Sequence, residues 1–168
     1  FTSSSTYTGD ANLIKIDANG SEIWNKKYGG SNKDGCMSLI QASDSGLVFT
    51  GQINYSDFWV LKTDSDGTQL WSRTYGSGIG YKIIETSDQN YLVAGALGNS
   101  NEDMYIIKLN SSNGDTIWTC TVGGASRDWA YGLCENYEDG YVCFGSTNSF
   151  GAGGYDMYFA EISSDGDT

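Results

Sequence analysis

One short strand pattern opens four successive segments of this 168-residue chain. Asp10-Ala-Asn-Leu-Ile-Lys-Ile-Asp17 is followed by Asp57-Phe-Trp-Val-Leu-Lys-Thr-Asp64. Asp103-Met-Tyr-Ile-Ile-Lys-Leu-Asn110 comes next, and Asp156-Met-Tyr-Phe-Ala-Glu-Ile162 begins the pattern a fourth time. The starts lie 47, 46 and 53 residues apart. Trp24, Trp71 and Trp118 close the second strand of each full copy, spaced 47 and 47. Repeats are therefore expected at about 10–56, 57–102 and 103–155, with a partial copy at 156–168 and the end of a preceding copy at 1–9.

Each copy parses into four strands separated by turn residues. In the first copy these are Asn12–Asp17, Glu22–Tyr28, Cys36–Ala42 and Leu47–Gln52. The second predicts strands near 58–63, 68–75, 80–86 and 91–96, and the third near 104–109, 115–121, 129–135 and 141–146; a last strand falls near 157–162. Asn19-Gly20, Asp66-Gly67 and Asn113-Gly114 are hairpin dipeptides, because Asn and Gly tolerate positive φ. Runs such as Leu47-Val-Phe and Tyr91-Leu-Val-Ala suit strands buried on both faces. No helical periodicity of useful length is present. A strand-only repeat of this period points to an all-β fold and to a β-propeller of four-stranded repeats.

Composition removes several function classes. The chain has no His and no Pro, which excludes a Ser-His-Asp triad, a Cys-His pair and a His-ligated zinc site within it. Its net charge of −12 opposes binding to nucleic acid or to anionic lipid surfaces and suits cations or basic partners. No apolar run is long enough for membrane insertion. The four cysteines, Cys36, Cys120, Cys134 and Cys143, occupy non-equivalent repeat positions and form no repeated ligand set. Cys134 and Cys143 flank a hairpin turn, where a disulfide is one reading and free buried thiols the preferred one.

Leu109-Asn110-Ser-Ser-Asn-Gly114-Asp-Thr-Ile-Trp118, with Gly123 after it, resembles the tryptophan-docking repeat of quinoprotein and PQQ-like β-propellers. Asp17…Gly20…Trp24…Gly29 and Asp64…Gly67…Trp71…Gly76 are similar, each with a turn one residue shorter. The longer repeat is also similar to propeller repeats of large secreted bacterial and archaeal proteins. The resemblance implies that Trp24, Trp71 and Trp118 pack between neighbouring blades, that Gly20, Gly67 and Gly114 allow close backbone approach, and that the Trp strand is the outermost of its blade. About three and a half repeats do not close a ring, since propellers need about four to eight blades, so the chain is expected to be part of a seven- or eight-bladed ring. The adjacent cysteine pair of the quinone-dependent enzymes is missing, so neither the quinone nor dehydrogenase activity is carried over.

No cofactor is expected. Ca2+ is the one that Asp64-Ser-Asp66-Gly67 suggests, but the further ligands of a calcium loop are lacking, and a turn capped by Asx hydrogen bonds explains the motif. Asp10, Asp57, Asp103 and Asp156 recur before a strand. They read as caps on backbone N–H groups, or as one carboxylate per blade around a channel. Asp34 and Asp128 share one loop site that the second repeat lacks, which speaks against a catalytic role. The variable loops 52–57, 97–103 and 146–156 share one end of the repeats and carry Asn54, Tyr55, Asn99, Asn101, Glu102, Phe150 and Tyr155 as a candidate binding face. Asn19, Asn54 and Asn110 head Asn-x-Ser/Thr sequons and are candidate glycosylation sites.

These features favour a non-catalytic extracellular or cell-surface scaffold or adhesion module that binds protein or glycan through loops on one face. A propeller enzyme acting on glycans is the alternative; it needs converging carboxylates. An architectural subunit of a surface filament or sheath is another. Without an initiator Met or signal peptide, and with both ends inside a repeat, the chain reads as a piece of a longer polypeptide whose remaining blades, or a second copy, complete the ring.

Overall fold

The computed structural model describes residues 9–98, 100–138 and 140–168. Twelve strands lie among them: β1 (Ala11–Ile16), β2 (Glu22–Tyr28), β3 (Gly35–Gln41), β4 (Leu47–Ile53), β5 (Asp57–Thr63), β6 (Gln69–Glu85), β7 (Tyr91–Leu97), β8 (Asp103–Leu109), β9 (Thr116–Val122), β10 (Asp128–Glu135), β11 (Tyr141–Thr147) and β12 (Asp156–Ile162). No described residue is helical, so the fold is all-β. The strands pair antiparallel into three sheets: β1-β2, β3 through β9 in chain order, and β10-β11-β12. No closed ring forms among the described residues, since β1 and β12 each keep one edge unpaired.

The seven-stranded sheet is two four-stranded units joined through β6. Residues 69–77 of β6 pair with β5, and residues 78–85 pair with β7. The sequence predicts two strands there, near 68–75 and 80–86, with Gly76-Ser-Gly-Ile-Gly80 as a loop. The short connection instead stays in the ladder: Ser77 lies opposite Asp57, and Gly78 lies opposite Leu97. Glycine is required where backbones crowd; a Cβ at Gly78 would run into the Ala96 carbonyl, and one at Gly80 into Thr50.

Alternation explains the core. In β5, Phe58 and Val60 face one side, and Trp59 and Leu61 face the other. In β8, Tyr105, Ile107 and Leu109 face one side, and Met104 and Ile106 the other. The middle strands are therefore buried on both faces, as their unbroken apolar runs predict. One cluster joins β1-β2 to the β3–β5 face through Leu13, Tyr28, Phe49, Trp59 and Leu61. A second joins the two halves of the long sheet, so that sheet folds back on itself across β6. The third joins β7–β9 to β10–β12.

Strand direction gives the molecule two unlike ends. The short turns 17–21, 42–46, 64–68, 86–90, 110–115, 136–138 with Gly140, and 163–167 lie at one end. The connections 29–34, 54–56, Gly98 with 100–102, 123–127 and 148–155 lie at the other. Bonds between units keep to this sorting: Glu85 accepts from Ser43 at the turn end, while Asp128 N–H donates to the Glu102 carbonyl at the loop end.

Candidate functional site

The turn end is occupied by repeated contacts between units. Trp71 Nε1 donates to the Ser111 carbonyl at 3.2 Å, and Trp118 Nε1 donates to the Ser164 carbonyl at 2.9 Å. Trp24 lies on Gly67, but its Nε1 has no hydrogen-bond partner among the described residues. The docking glycines have positive φ, +77° at Gly67 and +76° at Gly114. A Cβ on Gly114 would sit 2.8 Å from the Trp71 ring. Gly20 has the same turn geometry with nothing near its Cβ position. Tyr28 and Tyr75 donate to the carbonyls of Gly67 and Gly114 at 2.6 and 2.7 Å.

The repeated lysines join this packing, a role their spacing alone does not reveal. Lys62 is nearly buried, pairs with Asp44 at 2.5 Å and lies 5.4 Å from the Tyr91 ring centroid of the next unit. Lys108 repeats this with Asp88 at 2.6 Å and the Tyr141 ring at 5.2 Å. Burial works against both ammonium charges, but the carboxylate and phenol contacts more than offset it and hold both lysines above their usual range. The hydrogen bond from Lys62 holds Asp44 below the usual carboxylate range. Lys15, the third equivalent, is exposed and donates to the Ser65 carbonyl.

At the loop end two buried aspartates organise the backbone. Asp34 accepts N–H bonds from Gly30 at 2.7 Å and Asn54 at 2.8 Å. Asp128 accepts from Gly124 N–H at 2.9 Å, from Ser149 Oγ at 2.7 Å and from the Thr147 hydroxyl. Burial pushes Asp128 up, but these donors outweigh it and hold the carboxyl below its usual range. The capping expected of Asp57, Asp103 and Asp156 thus belongs to Asp34 and Asp128. Asp57 accepts only from Ser56 Oγ, at 3.0 Å, among the described side-chain bonds. Asp103 Oδ1 and Asp156 Oδ2 are buried without a donor among the described residues. Burial and then the charge of Asp128 raise Asp103. These aspartates head β5, β8 and β12, each the third strand of its unit, rather than the first strands.

Between loops 53–57 and 97–103 lies a cleft of about 190 Å³, floored by Gly78 and Ile79 of β6 and flanked by Gln52, Tyr55 and Glu102. Glu102 extends it toward the third sheet. Its Oε2 accepts from Trp129 Nε1 at 2.6 Å and lies 3.9 Å from Arg127 Nε. Trp129 stacks on Tyr155, with centroids 5.2 Å apart and planes 16° apart. Below it, Tyr131 meets Tyr81 edge to face at 5.1 Å. Tyr81 and Tyr131 sit at the register shifts of β6 and β10, as Met37 does in β3. A bulge of this kind redirects one side chain out of the ladder.

The loop residues singled out in the sequence separate into two groups. Tyr55, Glu102 and Tyr155 line the cleft or its extension. Asn54 Oδ1 accepts from Asn32, Asn101 donates to the Gly124 carbonyl, and Phe150 stacks on Tyr158, so these three hold loops together. Asn99 lies outside the described residues. Of the sequon residues, Asn110 Oδ1 accepts from Ser112 N–H and Oγ, and Asn19 is exposed in its turn. Asp64 Oδ1 accepts from the N–H groups of Asp66 and Thr68, the expected Asx-type turn.

Sequence reasoning missed Trp129, Gln52, Tyr81 and Tyr131. The available signal was a break in the repeat, since Trp129 stands where the other copies have Gly35 and Ile79. All four cysteines are free. Cys134 opposes Val142 while Cys143 opposes Leu133, so the two point to opposite faces of the hairpin. Burial pushes the Cys36 thiol up to about 11 and also raises Cys120 and Cys143, which disfavours the nucleophilic thiolate at all three. Among the described residues no group of three or more acidic or thiol side chains is set to hold a metal. Compared with known proteins, the chain matches no family model and no curated relative.

Proposed function

We infer that the chain is a β-propeller segment of the tryptophan-docking kind and a non-catalytic recognition module of the extracellular space or cell surface. It binds a protein or glycan partner through its loop end. The observation carrying this reading is the contrast between the ends. At the turn end the repeated residues are used in contacts between units, and the clefts of about 290 and 410 Å³ there are lined in part by those same residues, Trp24 and Lys15 in one and Lys108 and Tyr141 in the other. At the loop end the unrepeated residues Tyr55 and Glu102 line an open cleft, and Glu102 links it to the Trp129–Tyr155 stack.

A radial arrangement is supported by how closely the first strands of successive units approach. Ser38 Oγ of β3 reaches the Ile83 backbone N of β6 at 3.4 Å, and the Tyr81 and Tyr131 rings of β6 and β10 touch. The fourth strands are instead held apart by whole indoles. Units narrow at one edge and thick at the other fan around an axis.

Glycan and peptide arrays probed with the wild-type chain and with a Tyr55→Ser/Tyr155→Ser variant test the reading. Both tyrosines are more than half exposed, so the variant should stay folded, with a melting temperature lowered only by loss of the Tyr155–Trp129 stack. Binding that disappears in the variant is the expected result. Hits that persist, or arrays blank throughout, would remove the basis for a loop-end recognition role.

One observation favours a second, architectural reading. Among the described residues, the unpaired β1 edge carries exposed Ile14 and Ile16, and the unpaired β12 edge carries exposed Met157 and Phe159. Such edges pair with strands of other chains. Sedimentation that shows concentration-dependent association, abolished by Met157→Lys, would favour a filament or sheath subunit.

A further inference from the structure

We propose that the loop-end cluster of Trp129, Tyr155, Glu102 and Tyr55 is a receptor for cationic side chains, and that the partner is a lysine- or arginine-rich protein segment rather than a neutral glycan. The inference rests on the reading of the loop end as the recognition face and names the chemistry of its ligand.

Three observations carry it. The first is charge. Besides the two buried organising aspartates, the loop end holds Asp10, Asp57, Glu102, Asp103 and Asp156 against Lys33 and Arg127, within a chain of net charge −12. A cationic segment approaching this end is attracted, which speeds its encounter and disfavours anionic competitors. The second is the pairing of ring faces with a carboxylate. Tyr155 and Tyr55 are each 53% exposed. Glu102 uses Oε2 for the Trp129 indole and the distant Arg127 guanidinium, leaving Oε1 without a donor among the described residues. The negative ring face and the carboxylate both attract a cation, and an exposed cation–π contact contributes about 0.5–1 kcal/mol.

The third observation is that the same chemistry already seats cations elsewhere in this chain. Lys62 and Lys108 each pair with an aspartate and reach a tyrosine of the next unit, Lys108 Nζ donating to the Tyr141 hydroxyl at 2.7 Å and Lys62 lying 5.4 Å from the Tyr91 ring centroid. At the loop end the ring and carboxylate are present, while the nearest internal cation, Arg127, is half-exposed and 3.9 Å away. The elongated course from Tyr55 across the cleft to Glu102, Trp129 and Tyr155 suits an extended segment with several basic residues better than one small ion.

Calorimetric titration with an oligolysine peptide, an oligoserine peptide of equal length and a neutral β-linked oligosaccharide tests this. Oligolysine should bind, weaken with added salt and perturb the Trp129 indole N–H resonance, while oligoserine and the oligosaccharide should not bind. Glu102→Gln and Tyr155→Ser should each weaken oligolysine binding about tenfold. Glu161→Gln, which removes an exposed carboxylate of β12 away from this face, should leave it unchanged. Equal weakening by Glu161→Gln and Glu102→Gln would reduce the effect to bulk charge and overturn the proposal. Oligosaccharide binding that is lost in Tyr155→Ser, without oligolysine binding, would overturn the cationic ligand and leave the recognition face standing. Binding of none of the probes would count against both.

Discussion

A glycine and a tryptophan from neighbouring units make one contact in three successive places, and the glycine is the more exacting partner. Gly114 combines φ +76° with a Trp71 ring against its Cβ position. Gly20 has φ +85° and open space. Gly20→Ala should therefore carry only backbone strain, about 1 kcal/mol, whereas Gly114→Ala should destabilise by about 2–4 kcal/mol. Urea denaturation of the two variants reads the difference, and equal effects would mean that the indole yields freely. The aspartates near Gly123 make a second residue-scale prediction, with opposite signs. Asp128 has a lowered folded pKa. Its stabilisation is complete above the unfolded value of about 3.9 and is lost as the pH falls through the folded value. Asp103 has a raised folded pKa. Its charge is a penalty that is full at neutral pH and is relieved as protonation sets in. Asp128→Asn should thus lower stability at pH 7 by about 2 kcal/mol, and Asp103→Asn should raise the melting temperature. Both differences should shrink at pH 3 in thermal melts. Two variants of the same sign would refute the assignment.

At the scale of elements, the strands were legible because turn dipeptides bracket them and apolar runs fill them. Asn19-Gly20, Asp66-Gly67 and Asn113-Gly114 fall in turns, and with the Trp strand outermost, as the resemblance implies, 80–86, 91–96, 104–109 and 115–121 make one unit, which corresponds to the second half of β6 with β7, β8 and β9 in the long sheet. The continuity of β6 was not legible. Three glycines in five residues read as a loop, and only pairing to Asp57 on one side and Leu97 on the other keeps them in the ladder. The site was half legible. Tyr55, Glu102 and Tyr155 stood out as loop residues, but Trp129 lay in a predicted strand, where an aromatic raises no question. The lysine clamps belong to this scale as well, since each ties a hairpin turn to the next unit. Asp44→Ala strands the buried Lys62 ammonium and should destabilise by about 1–3 kcal/mol. Asp44→Ala combined with Lys62→Met should recover most of that loss in a double-mutant cycle. Strict additivity would mean that solvent screens the pair as it does a surface ion pair.

For the whole molecule, the main packing among the described residues is between successive units, so stability should grade from the middle outward as in repeat arrays. Strands β7 and β8 are buried on both faces, and β1-β2 is a two-stranded sheet covered on one. Hydrogen exchange should be slowest in β7 and β8 and fastest in β1-β2, and uniform protection would point to a single cooperative block. Trp71→Ala, in the middle junction, should destabilise by about 3–5 kcal/mol and accelerate exchange on both sides of that junction. The junctions also differ in how they are made. Units one and two and units three and four are linked by loops 29–34 and 123–127, each gathered around one buried aspartate. The central pair shares one unbroken strand, and the loop-end cleft sits over that strand. A guest prying at this floor must bend hydrogen-bonded backbone, so the width of the slot at its base is set in the folded chain, whereas loosening either outer junction deprives a carboxylate of its N–H donors.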